Sequence, residues 1–204
     1  MKKIIFGLIM SIGITEYTFA KGDPIAGKAK ASTCAACHGS TGISLAPNYP
    51  HLSGQGERYL AKQIMDIKDG VRVVPEMTPF VSNLSQQDIN DIAAFYASQS
   101  APSGVTEEKY LSLGEEIYRA GNGKKNIPGC AACHSPMGQG NALAGYPSLR
   151  GQQAAYTAKQ LRDFREGERT NDGDAQMMRT IAEKLSNQEV EAVSHYIQGL
   201  GSQF

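Results

Sequence analysis

The four cysteines of this 204-residue chain fall in two identical motifs, Cys34-Ala35-Ala36-Cys37-His38 and Cys130-Ala131-Ala132-Cys133-His134. With four cysteines and four histidines in the whole chain, each motif has a chance expectation on the order of one in a thousand. C-x-x-C-H is the pattern for covalent attachment of a c-type haem. The chemistry requires this grouping, because two thiols add to the two vinyl groups of one porphyrin edge and the adjacent imidazole reaches the iron. A zinc site built from both pairs would have to bring together cysteines separated by 92 residues, whereas zinc ribbons separate their pairs by about 15 to 20. A thioredoxin-like pair expects a βαβ context, and neither motif is followed by a strand pattern.

Aligning the motifs exposes a duplication. Tyr49-Pro50-His51-Leu52-Ser53-Gly54-Gln55 matches Tyr146-Pro147-Ser148-Leu149-Arg150-Gly151-Gln152. Tyr59-Leu60-Ala61-Lys62-Gln63 matches Tyr156-Thr157-Ala158-Lys159-Gln160, and Leu84-Ser85 matches Leu185-Ser186. The chain therefore reads as two copies of one haem domain. A haem iron held by one histidine needs a sixth ligand, and methionine is the usual choice where electron transfer is the task. Met65 lies in an amphipathic helical stretch and reads as core. Met137 is three residues after His134 and belongs to the histidine side of the haem. Met77 remains in the first copy, within Pro75-Glu76-Met77-Thr78-Pro79, where the prolines predict an irregular, restrained loop. In the second copy Met178 stands seven residues before Leu185, as Met77 stands seven before Leu84, with Met177 as the adjacent rival. His38, Met77, His134 and Met178 are thus the candidate iron ligands. His51 and His195 have no histidine partner in the repeat and read as ordinary surface or partly packed residues.

Three stretches per copy carry helical periodicity. The first leads into each haem motif, from about Asp23 and about Glu107, with an insert at 121–128 before Cys130. The second covers 57–69 and 154–166. The third starts at Ser85 and Ser186, each followed three residues later by an acid in capping-box spacing. Sustained strand alternation is missing, so the fold class is all-α, two tandem helical domains each around one covalent haem. The segments are 1–20, 21–97, a Pro/Gly/Ser-rich linker at 98–106, and 107–204; so short a linker keeps the domains close.

Lys2 and Lys3, an apolar run from Ile4 to Ile14 and Thr18-Phe19-Ala20 read as a secretory signal peptide cleaved after Ala20, which predicts a periplasmic protein. Removing Lys2, Lys3 and Glu16 leaves 18 basic and 19 acidic residues, a formal charge of −1. That balance lacks the basic excess of a nucleic-acid binder. Trp is absent and aromatics make up 7% of the chain, little for two small cores; two buried porphyrins would supply the missing apolar mass.

With both C-A-A-C-H motifs, the paired Tyr-Pro-x-Leu-x-Gly-Gln segments, Tyr-x-Ala-Lys-Gln in both halves and a late Met before Leu-Ser, the chain resembles the dihaem cytochrome c4 family across residues 21–204. Each half resembles a class I cytochrome c. The resemblance implies two covalently bound haem c, held through Cys34, Cys37, Cys130 and Cys133. It also implies that Pro50 and Pro147 offer their carbonyls to the ring N–H of the axial histidines, and that the propionate edges face each other across the domain interface. The function expected is a monomeric electron carrier, not an enzyme, between a quinol:cytochrome c reductase-type donor and a terminal oxidase-type acceptor, with peripheral membrane association left open. The alternatives are an electron-accepting subunit of a periplasmic dehydrogenase and, behind it, a dihaem peroxidase-type enzyme, which would need an open iron position and acid/base groups beside it.

Overall fold

In the first half, Asp23 caps helix α1 (Pro24–Lys30) by accepting from the Ile25 and Ala26 amides, and Pro24 sits in the first turn, where a missing N–H costs nothing. A 3₁₀ turn (Ala31–Thr33) leads into α2 (Ala35–His38), and α3 (Glu57–Lys68), α4 (Thr78–Val81) and α5 (Gln86–Ala97) follow. The second half repeats the order with α6 (Glu108–Arg119), α7 (Ala131–His134), α8 (Ala154–Glu166), α9 (Met177–Ala182) and α10 (Asn187–Gly199). This computed structural model describes residues 21–201, so the signal peptide lies outside the described residues. Among the described residues the only β pairings are two isolated bridges, Asn122 with Ile127 and Asn141 with Tyr146. The all-α expectation holds.

Both capping boxes form. Ser85 and Ser186 accept from the amides of Asp88 and Glu189, whose carboxylates accept in return from the serine amides. The long helices of each half cross where a glycine removes the side chain. A Cβ on Gly27 of α1 would lie 1.9 Å from the Asp91 carbonyl oxygen of α5, and one on Gly114 of α6 would lie 2.4 Å from that of Ala192 in α10. Each half then closes its own core. Ala31, Leu60, Ile92, Ala93, Phe95 and Tyr96 form the first; Ile117, Tyr118, Ile127, Ala158, Leu185, Val190, Val193, Tyr196, Ile197 and Leu200 form the second.

The segment around Met77 departs from the sequence expectation. Rather than an irregular loop, the chain makes one helical turn immediately after Met77, because Pro79 falls in the first turn, where a helix tolerates proline. The insert at 121–128 folds as a 3₁₀ turn (Gly123–Lys125) closed by the Asn122–Ile127 bridge, and Lys125 and Asn122 bind Glu189 at the start of α10.

No helix is long and apolar enough to cross a membrane among the described residues. The stretch between α5 and α6 carries no helix, and it runs past the glycine of each Tyr-Pro-x-Leu-x-Gly-Gln segment. A Cβ on Gly54 would meet Ala101 at 2.8 Å, and one on Gly151 would meet the Pro102 carbonyl at 2.3 Å. Both glycines hold positive φ, 66° and 69°. The connection thus packs against the same feature of both halves and brings the two segments face to face.

Candidate haem-binding sites

One turn of helix presents each Cys-His group. In α2 the His38 amide donates to the Cys34 carbonyl at 3.0 Å, and in α7 the His134 amide donates to that of Cys130 at 2.9 Å. Thiols three residues apart on such a turn share a face. The chain leaves both turns through left-handed residues, Gly39 (φ 76°) and Ser135 (φ 69°). None of the four cysteines is paired in a disulfide.

The two imidazoles are oriented identically. His38 Nδ1–H donates to the Pro50 carbonyl at 3.0 Å, and His134 Nδ1–H to the Pro147 carbonyl at 2.9 Å. Since a carbonyl can only accept, each ring carries its proton on Nδ1 and leaves the Nε2 lone pair available to a metal. Both rings are buried, and burial lowers their pKa against the smaller opposing effect of the proline carbonyl, which keeps them neutral. A hydrogen bond of this kind fixes ring orientation and raises ligand basicity.

Counted back from the end of its helix, Met178 stands where Met77 does, four residues before the last, although Met77 precedes α4 and Met178 is the second residue of α9. Val81 and Ala182, four residues further on in each case, are both buried, at 4% and 0% exposure. The Leu84 amide then bonds the Val81 carbonyl at 3.1 Å, and the Leu185 amide bonds the Ala182 carbonyl at the same distance. Met77 and Met178 are half-buried, whereas Met177 is exposed and its Sδ accepts from the Tyr146 hydroxyl at 3.9 Å.

A family model described as Cytochrome c matches residues 112–201, and one described as Cytochrome C oxidase, cbb3-type, subunit III matches residues 24–95. A relative named Cytochrome c4, from Pseudomonas aeruginosa, is 54% identical over 98% of this chain and 100% of its own length. The chain belongs to the cytochrome c4 family. The crystal structure of reduced recombinant cytochrome c4 from Pseudomonas stutzeri matches with a TM-score of 0.86 at 53% identity, covering 88% of this chain and 99% of that one. A further relative, named Thiosulfate dehydrogenase electron acceptor, from Stutzerimonas stutzeri, is 35% identical over 84% of this chain and 80% of its own. Membership makes the chain a dihaem electron-transfer cytochrome with covalently bound haem c.

The residues present fit that cofactor. Each half offers two unoxidised thiols on one turn, a neutral imidazole with a free Nε2, and a thioether in matching register. The interface between the two halves also carries a cationic patch suited to carboxylates. Arg72 donates to Gln63, Gln160 and the Tyr156 hydroxyl, at 2.8, 2.8 and 3.1 Å. Arg169, from the equivalent position of the other half, donates to Gln160 at 2.8 Å, Gln63 at 3.0 Å and the Tyr59 hydroxyl at 3.1 Å. Two guanidinium groups thus share two glutamine oxygens, and among the described residues neither makes an ion pair. Like charges with amide and phenol partners, Arg169 buried and Arg72 half-buried, favour an added anion, and a porphyrin's propionates have that chemistry.

Sequence reasoning quoted Gln55, Gln63, Gln152 and Gln160 as repeat markers without finding a role for them, and it did not single out Arg72 and Arg169. Their only signal was identical type at identical repeat positions. His51 is partly packed, as expected, and also holds a loop. Its Nδ1 accepts from the Ser44 amide at 3.0 Å, so it closes the loop that carries Pro50. His195 behaves as expected, stacked on Tyr110 with ring centroids 4.0 Å apart.

Proposed function

We propose that Cys34 and Cys37 bind the first haem with His38 and Met77 as axial ligands, and that Cys130 and Cys133 bind the second with His134 and Met178. In this reading the chain, once its signal peptide is removed in the periplasm, carries one electron per haem from a quinol:cytochrome c reductase-type donor to a terminal oxidase-type acceptor. The observation that supports it is the residue-for-residue coincidence of the two halves: the same histidine geometry, the same proline acceptor and a methionine in the same register. Bound, each haem supplies a one-electron couple at its iron. The protein groups do the rest. Pro50 and Pro147 hold the imidazoles in one orientation, which would limit rearrangement when the iron changes charge, and the Met77 and Met178 thioethers would complete the ligation and exclude small molecules. Such closure suits outer-sphere transfer to redox protein partners through small, transient contacts.

Optical spectroscopy of the oxidised protein tests the ligation. Two equivalents of the red-region methionine-to-iron charge-transfer band are expected, and the reduced form should not react with carbon monoxide. Met178→Ala should remove one band and Met177→Ala neither; the reverse result would transfer the ligand role to Met177. The similarity to a thiosulfate dehydrogenase electron acceptor supports a second reading, in which a dehydrogenase is the electron donor. Stoichiometric co-purification with such an enzyme would favour it over a freely diffusing carrier.

A further inference from the structure

The carbonyl of Pro50 and the amide N–H of His51 belong to one peptide group, as do the carbonyl of Pro147 and the N–H of Ser148. Each of these peptides carries a hydrogen bond at both ends. On the oxygen side it accepts from the axial histidine of its own half, at 3.0 Å from His38 and 2.9 Å from His134. On the nitrogen side it donates to a glutamine of the other half. The His51 amide donates to Gln152 Oε1 at 2.9 Å, and the Ser148 amide to Gln55 Oε1 at 2.8 Å. Each glutamine also returns a bond from Nε2, Gln152 to the His51 carbonyl at 2.9 Å and Gln55 to the Ser148 carbonyl at 2.8 Å. Both side chains are buried, at 8% exposure, so water does not compete for these contacts.

We propose that Gln55 and Gln152 are crossed positioning residues, each setting the orientation and hydrogen-bond strength of the axial histidine in the opposite half. Gln152 thereby tunes the first haem and Gln55 the second. The physical link is short. An amide whose N–H is engaged carries more negative charge on its carbonyl oxygen, since hydrogen bonds in a chain polarise one another. That oxygen then accepts more strongly from the imidazole N–H, the ring becomes a more basic ligand, and the oxidised iron is favoured. Taking away the glutamine should therefore raise the potential of the haem across the interface. An interface built this way makes each haem's donor strength depend on the seating of the other half, so a partner that shifts the two halves would retune both couples.

The inference rests on the ligation by His38 and His134 proposed above. The two are separable, because the charge-transfer bands of the unmodified protein test the ligation whatever the variants do. Gln55→Leu and Gln152→Leu are measured singly by potentiometric titration. The two haems are distinguished by resonances of the porphyrin methyl groups beside Cys37 and Cys133. Gln55→Leu should raise the potential of the second haem and move the His134 Nδ1–H resonance, with a smaller change at the first. Gln152→Leu should do the converse at the first haem and His38. Gln55→Asn and Gln152→Asn, which keep the amide but draw it back by about 1.5 Å, should give the same crossed pattern with smaller shifts and leave packing nearly intact. A larger shift in the haem of the variant's own half than in the other, equal shifts in both haems, or no shift in either would overturn the proposal.

Discussion

Glu189 shows how one side chain joins a local signal to the tertiary fold. It is the third residue of α10, and its carboxylate accepts from the Ser186 amide at 2.7 Å, the Ser186 hydroxyl at 2.8 Å, Lys125 at 2.6 Å and Asn122 at 3.1 Å. Burial by itself would raise its pKa, but Lys125, Ser186 and Asn122 together outweigh burial and bring it down to about 2. A carboxylate depressed in the folded state is protonated first in the unfolded chain. Its contribution is therefore complete above the unfolded value, near 4.3, and is lost as pH falls toward 2. Glu189→Gln should be less stable than the parent at neutral pH and should lose less stability between about pH 4 and pH 2. Urea denaturation from neutral pH down to about pH 2 reads both effects, and parallel pH profiles would refute the assignment. The Ser186-to-Glu189 half of this arrangement was legible in the sequence as a capping box. The Lys125 half was not, because an insert 64 residues upstream leaves no periodic trace of where it returns.

At the scale of helices, most of the architecture could be read ahead of the structure. Helices α3 and α5, and α8 and α10, follow the apolar periodicity, and the expected stretch at 154–166 coincides with α8 (Ala154–Glu166). Short elements escaped. A single turn such as α4 has too few residues to show a period, and its proline points equally to a loop. Core aromatics were equally hidden. Counting from the crossings, Gly27 on Asp91 and Gly114 on Ala192, Ala31 corresponds to Tyr118 and Tyr96 to Ile197, so at these positions the large ring comes from α5 in the first half and from α6 in the second. Such an exchange conserves volume between facing helices while erasing the repeat at both positions. The crossings themselves carry a prediction. Gly27→Ala places a methyl 1.9 Å from the Asp91 oxygen and Gly114→Ala one 2.4 Å from the Ala192 oxygen, so the helices must separate. Each should cost about 1–3 kcal/mol in denaturant unfolding despite the better helix propensity of alanine. A neutral or stabilising result would mean that the helices are not packed this closely.

For the whole molecule, the repeat is more than two beads on a string. Residues 97 apart, Tyr59 with Tyr156, Gln63 with Gln160 and Arg72 with Arg169, meet around an approximate two-fold relation, so that each half supplies the guanidinium that binds the other half's tyrosine. Such a pattern cannot be found by looking for periodicity within a half, since the partners lie in different halves and their polarity marks them only as surface. It predicts that the halves unfold as one cooperative unit. Arg169 is the more committed member: it is 7% exposed and binds Tyr59, Gln63, Gln160 and Asn171. Arg169→Ala strips hydrogen bonds from buried acceptors, with a cost of about 2–3 kcal/mol expected for bonds to a charged donor. Arg169→Lys should recover little, because an ammonium on a flexible stem cannot reproduce the fork that reaches both halves at once. The short connection keeps the halves at high effective concentration, so the loss should appear as uncoupling rather than dissociation. In guanidinium chloride, the parent's two halves should unfold together, followed through the haem band of each. In both Arg169 variants the two transitions should separate, and coincident transitions there would show that the linker and the Gln55 and Gln152 contacts suffice to couple the halves.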